Sequence, residues 1–332
     1  MNPLKIAGAS GPVSLNAGSE EMRGCGLDRD IESMENKETK IKGLRINPEA
    51  RIIVKEYEYG ALLVTGRDKI KSGYGNGDCL LMNMKHFFFA LSDSTERYSR
   101  ASRDILERLC DEVDDKGVPE HKEEWLDLVN DVFAPQKYHH KATFSLAAIK
   151  RHAAGASICI INGGDSTVNI VNKVTGKVEY RTEPNMNFAG RSKTISGAME
   201  LTLGGDGYRL VMASDGLADV ARFCKRDLTE MIGTDLTYSN VHDVPEKLRE
   251  LIRSADLGGI AGNYDDIGVM VIDPMSLEMN NNVQIVMGGT NPGEEDAYQR
   301  RIAGSSIGDG WISMDELPEK ASYMSMCGIK VR

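Results

Sequence analysis

Five aspartates, Asp78, Asp93, Asp165, Asp215 and Asp265, each stand at the edge of a short apolar run, although the first and last lie far apart in the chain. Cys79-Leu80-Leu81-Met82 follows Asp78, Phe87 to Leu91 precedes Asp93, and Leu210-Val211-Met212-Ala213 precedes Asp215. An unpaired carboxylate at the end of a buried strand carries a heavy desolvation cost. Several such carboxylates brought together need positive charge between them, and the sequence offers no matching set of basic residues beside them. Hard divalent cations, which favour oxygen donors, meet that need.

The apolar runs also set the fold class. Short runs at 52–54, 61–65, 79–82 and 87–91 are separated by Gly, Asn and Asp, the pattern of strands joined by tight turns. Helical spacing follows over 95–113 (Tyr98, Ala101, Ile105, Leu106, Leu109) and 120–133 (Trp125, Leu128, Val129, Phe133), with Gly117 and Pro119 breaking the helix between them. Strands are expected again at 142–149, 157–161, 168–171, 177–180, 208–213 and 267–272, and helices at 217–223 and 244–255. Residues 181–207, rich in Gly and Asn, are expected to include a surface loop. Strands interrupted by helix pairs indicate an α+β layered domain rather than a doubly wound parallel sheet.

Three segments are expected: a flexible extension over 1–45, a catalytic domain over 46–274, and a C-terminal extension over 275–332 that the pattern does not place in the core. The formal charge of −10 argues against a nucleic-acid partner, which would need a basic face. No apolar run reaches membrane-spanning length and no secretory leader is evident, so a cytoplasmic protein without a membrane partner is expected. The six cysteines include no CxxC pair and read as free, buried thiols.

Other signatures fail. Gly73-x-Gly75-x-Gly77 lies between strands and opens no helix, so it is a turn rather than a dinucleotide loop. There is no nucleotide P-loop, and His139-His140 lacks zinc spacing.

The flanks of the aspartates are more specific. Ser214-Asp215-Gly216-Leu217-Ala218-Asp219 is an SDG-x-x-D pattern, and Asp265-Asp266-Ile267-Gly268-Val269 resembles a terminal D-[ND]-x-[TG]-V strand. Gly164-Asp165-Ser166 resembles a GDS motif, preceded at a suitable distance by Ala142-Thr143-Phe144-Ser145. In this order, over Arg67 to Asp273, the motifs resemble those of the metal-dependent serine/threonine protein phosphatases of type 2C, as a divergent, bacterial-like member.

That resemblance implies a four-layer α-β-β-α sandwich of two antiparallel sheets flanked by helix pairs, with metals in a cleft at one edge. Carried over by position, Asp93 bridges two Mg²⁺ or Mn²⁺ ions, Asp78 matches an early N-x-D motif, and Asp215 and Asp265 serve the second ion. Ser94 offers a backbone carbonyl, and Asp165 and Asp219, with Asp215, can hold a third, weaker ion. Two ions roughly 3.5–4 Å apart can share and activate a water, so no protein nucleophile is required. The implied partner is a phosphorylated protein, met by a monomer.

The sequence also departs from the family. Ser94-Thr95-Glu96-Arg97 replaces the usual glycines after the bridging aspartate, and Gly77 stands where an acidic residue is usual. Thr167 follows GDS in place of Arg, and the phosphate-gripping arginine is displaced, with Arg67 the first choice ahead of Lys69 and Lys71. Two alternatives stay open: a catalytically weak or inactive phosphatase fold acting as a regulatory or binding module, and a phosphatase for a small phosphorylated metabolite.

Overall fold

The computed structural model describes residues 5–6, 45–46, 51–56, 59–64, 76–94, 99–133, 142–189, 194–195, 197–236, 240–244, 247–248, 250–251, 264–281 and 283–287. The strands, in chain order, are β1 (Lys5–Ile6), β2 (Arg45–Ile46), β3 (Arg51–Glu56), β4 (Tyr59–Val64), β5 (Asp78–Asn83), β6 (Phe88–Asp93), β7 (Phe144–His152), β8 (Gly155–Gly163), β9 (Thr167–Asn172), β10 (Val178–Arg181), β11 (Ala198–Gly204), β12 (Tyr208–Ala213), β13 (Ile267–Ile272) and β14 (Val283–Met287). The longer helices are α1 (Ser99–Lys116), α2 (Lys122–Phe133) and α3 (Gly216–Phe223).

Two sheets result. One has eight strands in the order β1-β11-β8-β7-β6-β5-β14-β2, and the other six in the order β10-β9-β12-β13-β4-β3. Pairing is antiparallel except for the short β14–β2 contact at one edge. All six residues of β4, β5, β6, β12 and β13 are buried. These strands read as continuous apolar runs because both faces of each sheet are covered.

Three cores separate four layers. Phe88, Phe144 and Ile161 pack under α1 and α2. Leu80, Phe89, Ile160, Leu210, Met270 and Ile272 fill the space between the sheets. Val211, Leu217, Val220, Val269 and Val271 form a third core on the outer face of the smaller sheet. Edge-to-face ring pairs, Phe88–Trp125 at 5.6 Å and Phe133–Phe144 at 5.5 Å, fasten α2 to the larger sheet. The expected α-β-β-α sandwich is the observed architecture.

Helix ends follow local chemistry. Beyond Val113, the expected end, α1 runs on to Lys116, where Gly117 at φ +85 donates its N–H to the Val113 carbonyl at 2.9 Å. Within 244–255, the described residues Val244, Lys247, Leu248, Glu250 and Leu251 are helical.

The structure adds two strands that the sequence did not place. The 181–207 stretch contains β11, paired along its length with β8 from Ala198↔Ile161 to Gly204↔Gly155. Only Leu201 and Leu203 of β11 are buried, so its apolar alternation is too short to read, and pairing with β8 makes the strand. Likewise β14 joins β5 through Val283↔Asn83 to Met287↔Cys79, and Ile285 enters the core beneath α1. In the 1–45 segment, Lys5–Ile6 pairs with Thr202 and Leu201 of β11.

Candidate active site

Asp78 opens β5 and Asp93 closes β6, and the two are direct cross-strand partners. Paired residues share a face of the sheet, here the one turned toward the second sheet, with Cβ atoms about 4.5–5.5 Å apart. Asp78 is fully buried and Asp93 is 9% exposed. The turn into β5 is fixed locally, since Asp78 N–H donates to Asn76 Oδ1 at 2.8 Å.

The second sheet reaches across to this pair. Ser214, after β12, donates its hydroxyl to Asp78 Oδ2 at 2.7 Å and accepts Gly268 N–H at 2.8 Å. A Cβ at Gly268 would lie 3.1 Å from Asp78 Oδ2. Bare backbone there lets the carboxylate rest against β13.

Asp266 is the residue that sequence reasoning passed over. It is 1% exposed, and its Oδ2 accepts Gly77 N–H at 2.6 Å. Gly77 in turn accepts Ser94 N–H at 3.1 Å. A Cβ at Gly77 would meet the Ser94 carbonyl at 3.0 Å and Asp266 Oδ2 at 3.5 Å, so the carboxylate just before β13 borders the position where residue 77 has no side chain. Period-two alternation carried the signal: Met270 and Ile272 belong to the inter-sheet core, so Asp266 and Gly268 face the same way.

The other sequence candidates lie around this centre. Asp265 Oδ1 accepts its neighbour's Asp266 N–H at 2.8 Å, and Asp265 N–H donates to Asp219 Oδ2 at 3.1 Å. Asp219 also pairs with Arg222 at 2.9 Å. Asp215 sits at the N-cap of α3, exposed and without a side-chain capping bond. Just beyond it, a Cβ on Gly216 would come within 2.0 Å of the Asp266 carbonyl, so glycine is required where α3 starts against β13. Asp165 is half-buried in the Gly164–Ser166 turn, which reaches Asp93 through Thr143. Ser94 is 1% exposed. Arg67 lies outside the described residues.

The structure thus pairs Asp78 with Asp93, ties Ser94 and Asp266 to the neighbouring Gly77, joins Asp265 to Asp219, and leaves Asp215 exposed at the start of α3. Among the described residues, no three His, Cys, Asp or Glu side chains stand in a metal-holding arrangement. The donor chemistry still suits Mg²⁺ or Mn²⁺, because such ions are held through one or two carboxylates with the remaining positions filled by water. Cys79, next to Asp78, points the other way into the core beneath α1. Burial raises its thiol pKa well above the usual value, against a smaller lowering by Arg103, so it is no thiolate nucleophile. No described helix is long and apolar enough to cross a membrane.

No protein-family model matches the sequence, and no curated protein matches it. Solved structures do. The photosystem II phosphatase PBCP is 17% identical, with a TM-score of 0.48, over 66% of this chain and 98% of that one. The serine/threonine phosphatase PstP/Ppp of Mycobacterium tuberculosis is 16% identical, with a TM-score of 0.48, over 67% and 99%. The catalytic domain of PstP in complex with two manganese ions is 15% identical, with a TM-score of 0.45, over 65% and 97%. The two sheets and their covering helices form the four-layer α-β-β-α order expected from the sequence.

Proposed function

We propose that this protein is a Mg²⁺- or Mn²⁺-dependent phosphatase that hydrolyses phosphoserine and phosphothreonine on proteins. The observation that carries the reading is the Asp78–Asp93 pair, buried between the sheets, with Ser214 of the opposite sheet bonded to Asp78 and Asp266 bonded to the adjacent Gly77. Asp78, Asp93 and the Ser94 carbonyl would hold one side of a metal pair, with Asp93 bridging. Asp215 and Asp265 would serve the second ion, and Asp165 and Asp219 a third, weaker one. When bound, such a pair lowers the pKa of a shared water and offsets charge on the phosphoryl oxygens. The chain's own task is to hold these carboxylates at fixed spacing and orient the phosphate, for which Arg67 offers a bidentate grip.

The test is phosphate release from phosphoserine and phosphothreonine peptides with Mn²⁺. Chelator and Asp93→Asn should each lower the rate by about a hundredfold or more. A folded protein inert with both metals rejects the reading. A panel of phosphorylated metabolites assayed alongside separates the protein substrate from a small one.

One observation favours a second reading, a regulatory module of the same fold: Asp215 is exposed and no three-ligand group stands among the described residues. That module would gain thermal stability from Mn²⁺ yet release no phosphate.

A further inference from the structure

At Asp93 the ladder between β6 and β7 changes its acceptor. From Phe88↔Ala148 to Leu91↔Ser145 the strands pair in regular antiparallel register. Two residues further, Thr143 N–H still donates to the Asp93 carbonyl at 2.7 Å. The Asp93 N–H instead donates to the Thr143 hydroxyl at 2.9 Å, while the Thr143 carbonyl accepts Ser92 Oγ at 2.7 Å. A side-chain oxygen has taken over from the backbone at the residue whose carboxylate closes the strand.

The same hydroxyl reaches a third element. Thr143 Oγ1 and Ser166 Oγ lie 2.7 Å apart, and both residues are fully buried. Ser166 follows Asp165 in the turn between β8 and β9. That turn is pressed onto Thr143: Gly164 adopts φ +100, and a Cβ on it would come within 2.8 Å of Thr143 Cγ2. A hydroxyl has one proton to give and two lone pairs. At Thr143, one lone pair is committed to the Asp93 amide and another valence to Ser166.

We propose that Thr143 is a positioning residue for Asp93, and that the Thr143–Ser166 hydroxyl pair ties the orientation of Asp93 to the turn bearing Asp165. This rests on the reading of the carboxylates as a metal site. The hydroxyl pair is then a support behind the carboxylates, which holds their spacing before any ion arrives and links one ligand's setting to the other's.

The test uses the full chain and Mn²⁺ itself, with affinity by calorimetry and exchange of the Asp93 amide by NMR. Thr143→Val keeps the shape but removes the acceptor, Thr143→Ser restores it, Ser166→Ala removes only its partner, and Asp93→Asn is the ligand control. Losing a supporting partner of this kind costs about 10–100-fold in metal affinity, so Thr143→Val should fall in that range while Thr143→Ser stays within about threefold of wild type. Ser166→Ala should fall between them, with faster exchange at the Asp93 amide. If Thr143→Val does not fold, Ser166→Ala decides. Unchanged Mn²⁺ affinity in Thr143→Val and Ser166→Ala, beside a loss in Asp93→Asn, overturns the inference and leaves the metal site standing. A wild-type protein that binds no Mn²⁺ overturns both.

Discussion

Ser214 donates its hydroxyl to Asp78 Oδ2 at 2.7 Å, so one bond joins the end of β12 in the smaller sheet to the start of β5 in the larger. The same oxygen accepts Gly268 N–H, so two buried groups meet at one side chain. Ser214→Ala strips a donor from a buried carboxylate and orphans a backbone amide. Unmet buried groups of this kind cost about 1–3 kcal/mol, which a urea titration resolves as a lower midpoint at unchanged slope. A midpoint equal to wild type would mean that water or a neighbour replaces Ser214 fully.

Asp266 separates a structural role from an electrostatic one. Its Oδ2 accepts Gly77 N–H, and an asparagine oxygen can accept the same bond. Asp266→Asn should therefore keep the turn while removing a negative charge beside Asp78. Without metal the melting temperature should hold or rise, since less like charge is buried. Mn²⁺-dependent phosphate release should fall about 10–100-fold. A lower melting temperature with full activity would make Asp266 a strut alone.

Much of this centre was legible in the sequence, for a physical reason. Asp78, Asp93, Asp215 and Asp265 stand where apolar runs begin or end, and run boundaries survive in sequence because turns need polar residues. Asp266 did not stand out from the motif, because the facing of residues leading into a strand is set by which core receives that strand. The β11 strand was lost for a related reason: with only Leu201 and Leu203 buried, it is made by pairing with β8, a contact distant in sequence. The β14 strand likewise lies beyond the last confident run and takes its place from β5.

Ser94 stands where the motif resemblance leads one to expect glycine. Among the described non-glycine residues only Phe87 and Lys225 have positive φ. Ser94 instead makes an isolated bridge with Ala142 and donates to the Gly77 carbonyl. Glycine is not required by the backbone at this position. Ser94→Gly should thus lower stability by about 0.5–1 kcal/mol through chain entropy. Turnover should stay within about twofold of wild type. A large gain in phosphate release would instead place the serine side chain in the way of the reaction.

Alkaline stability reports on the buried thiols. Burial, with smaller contributions from Glu200 and Glu123, pushes Cys159 from 9.0 up to about 12. In the folded chain the thiol keeps its proton where the unfolded chain loses it. Its contribution is complete below pH 9.0 and is lost as pH rises from there toward about 12. The slope is at most about 1.4 kcal/mol per pH unit for one thiol. Cys159→Ala removes the titration, at the cost of a small cavity that lowers stability at every pH. Urea midpoints followed upward from pH 9.0 should fall less steeply for the variant than for wild type, even though its values start lower. Parallel declines would show that Cys159 exchanges its proton as freely in the fold as in the unfolded chain, and that the cluster beneath α1 and α2 admits water.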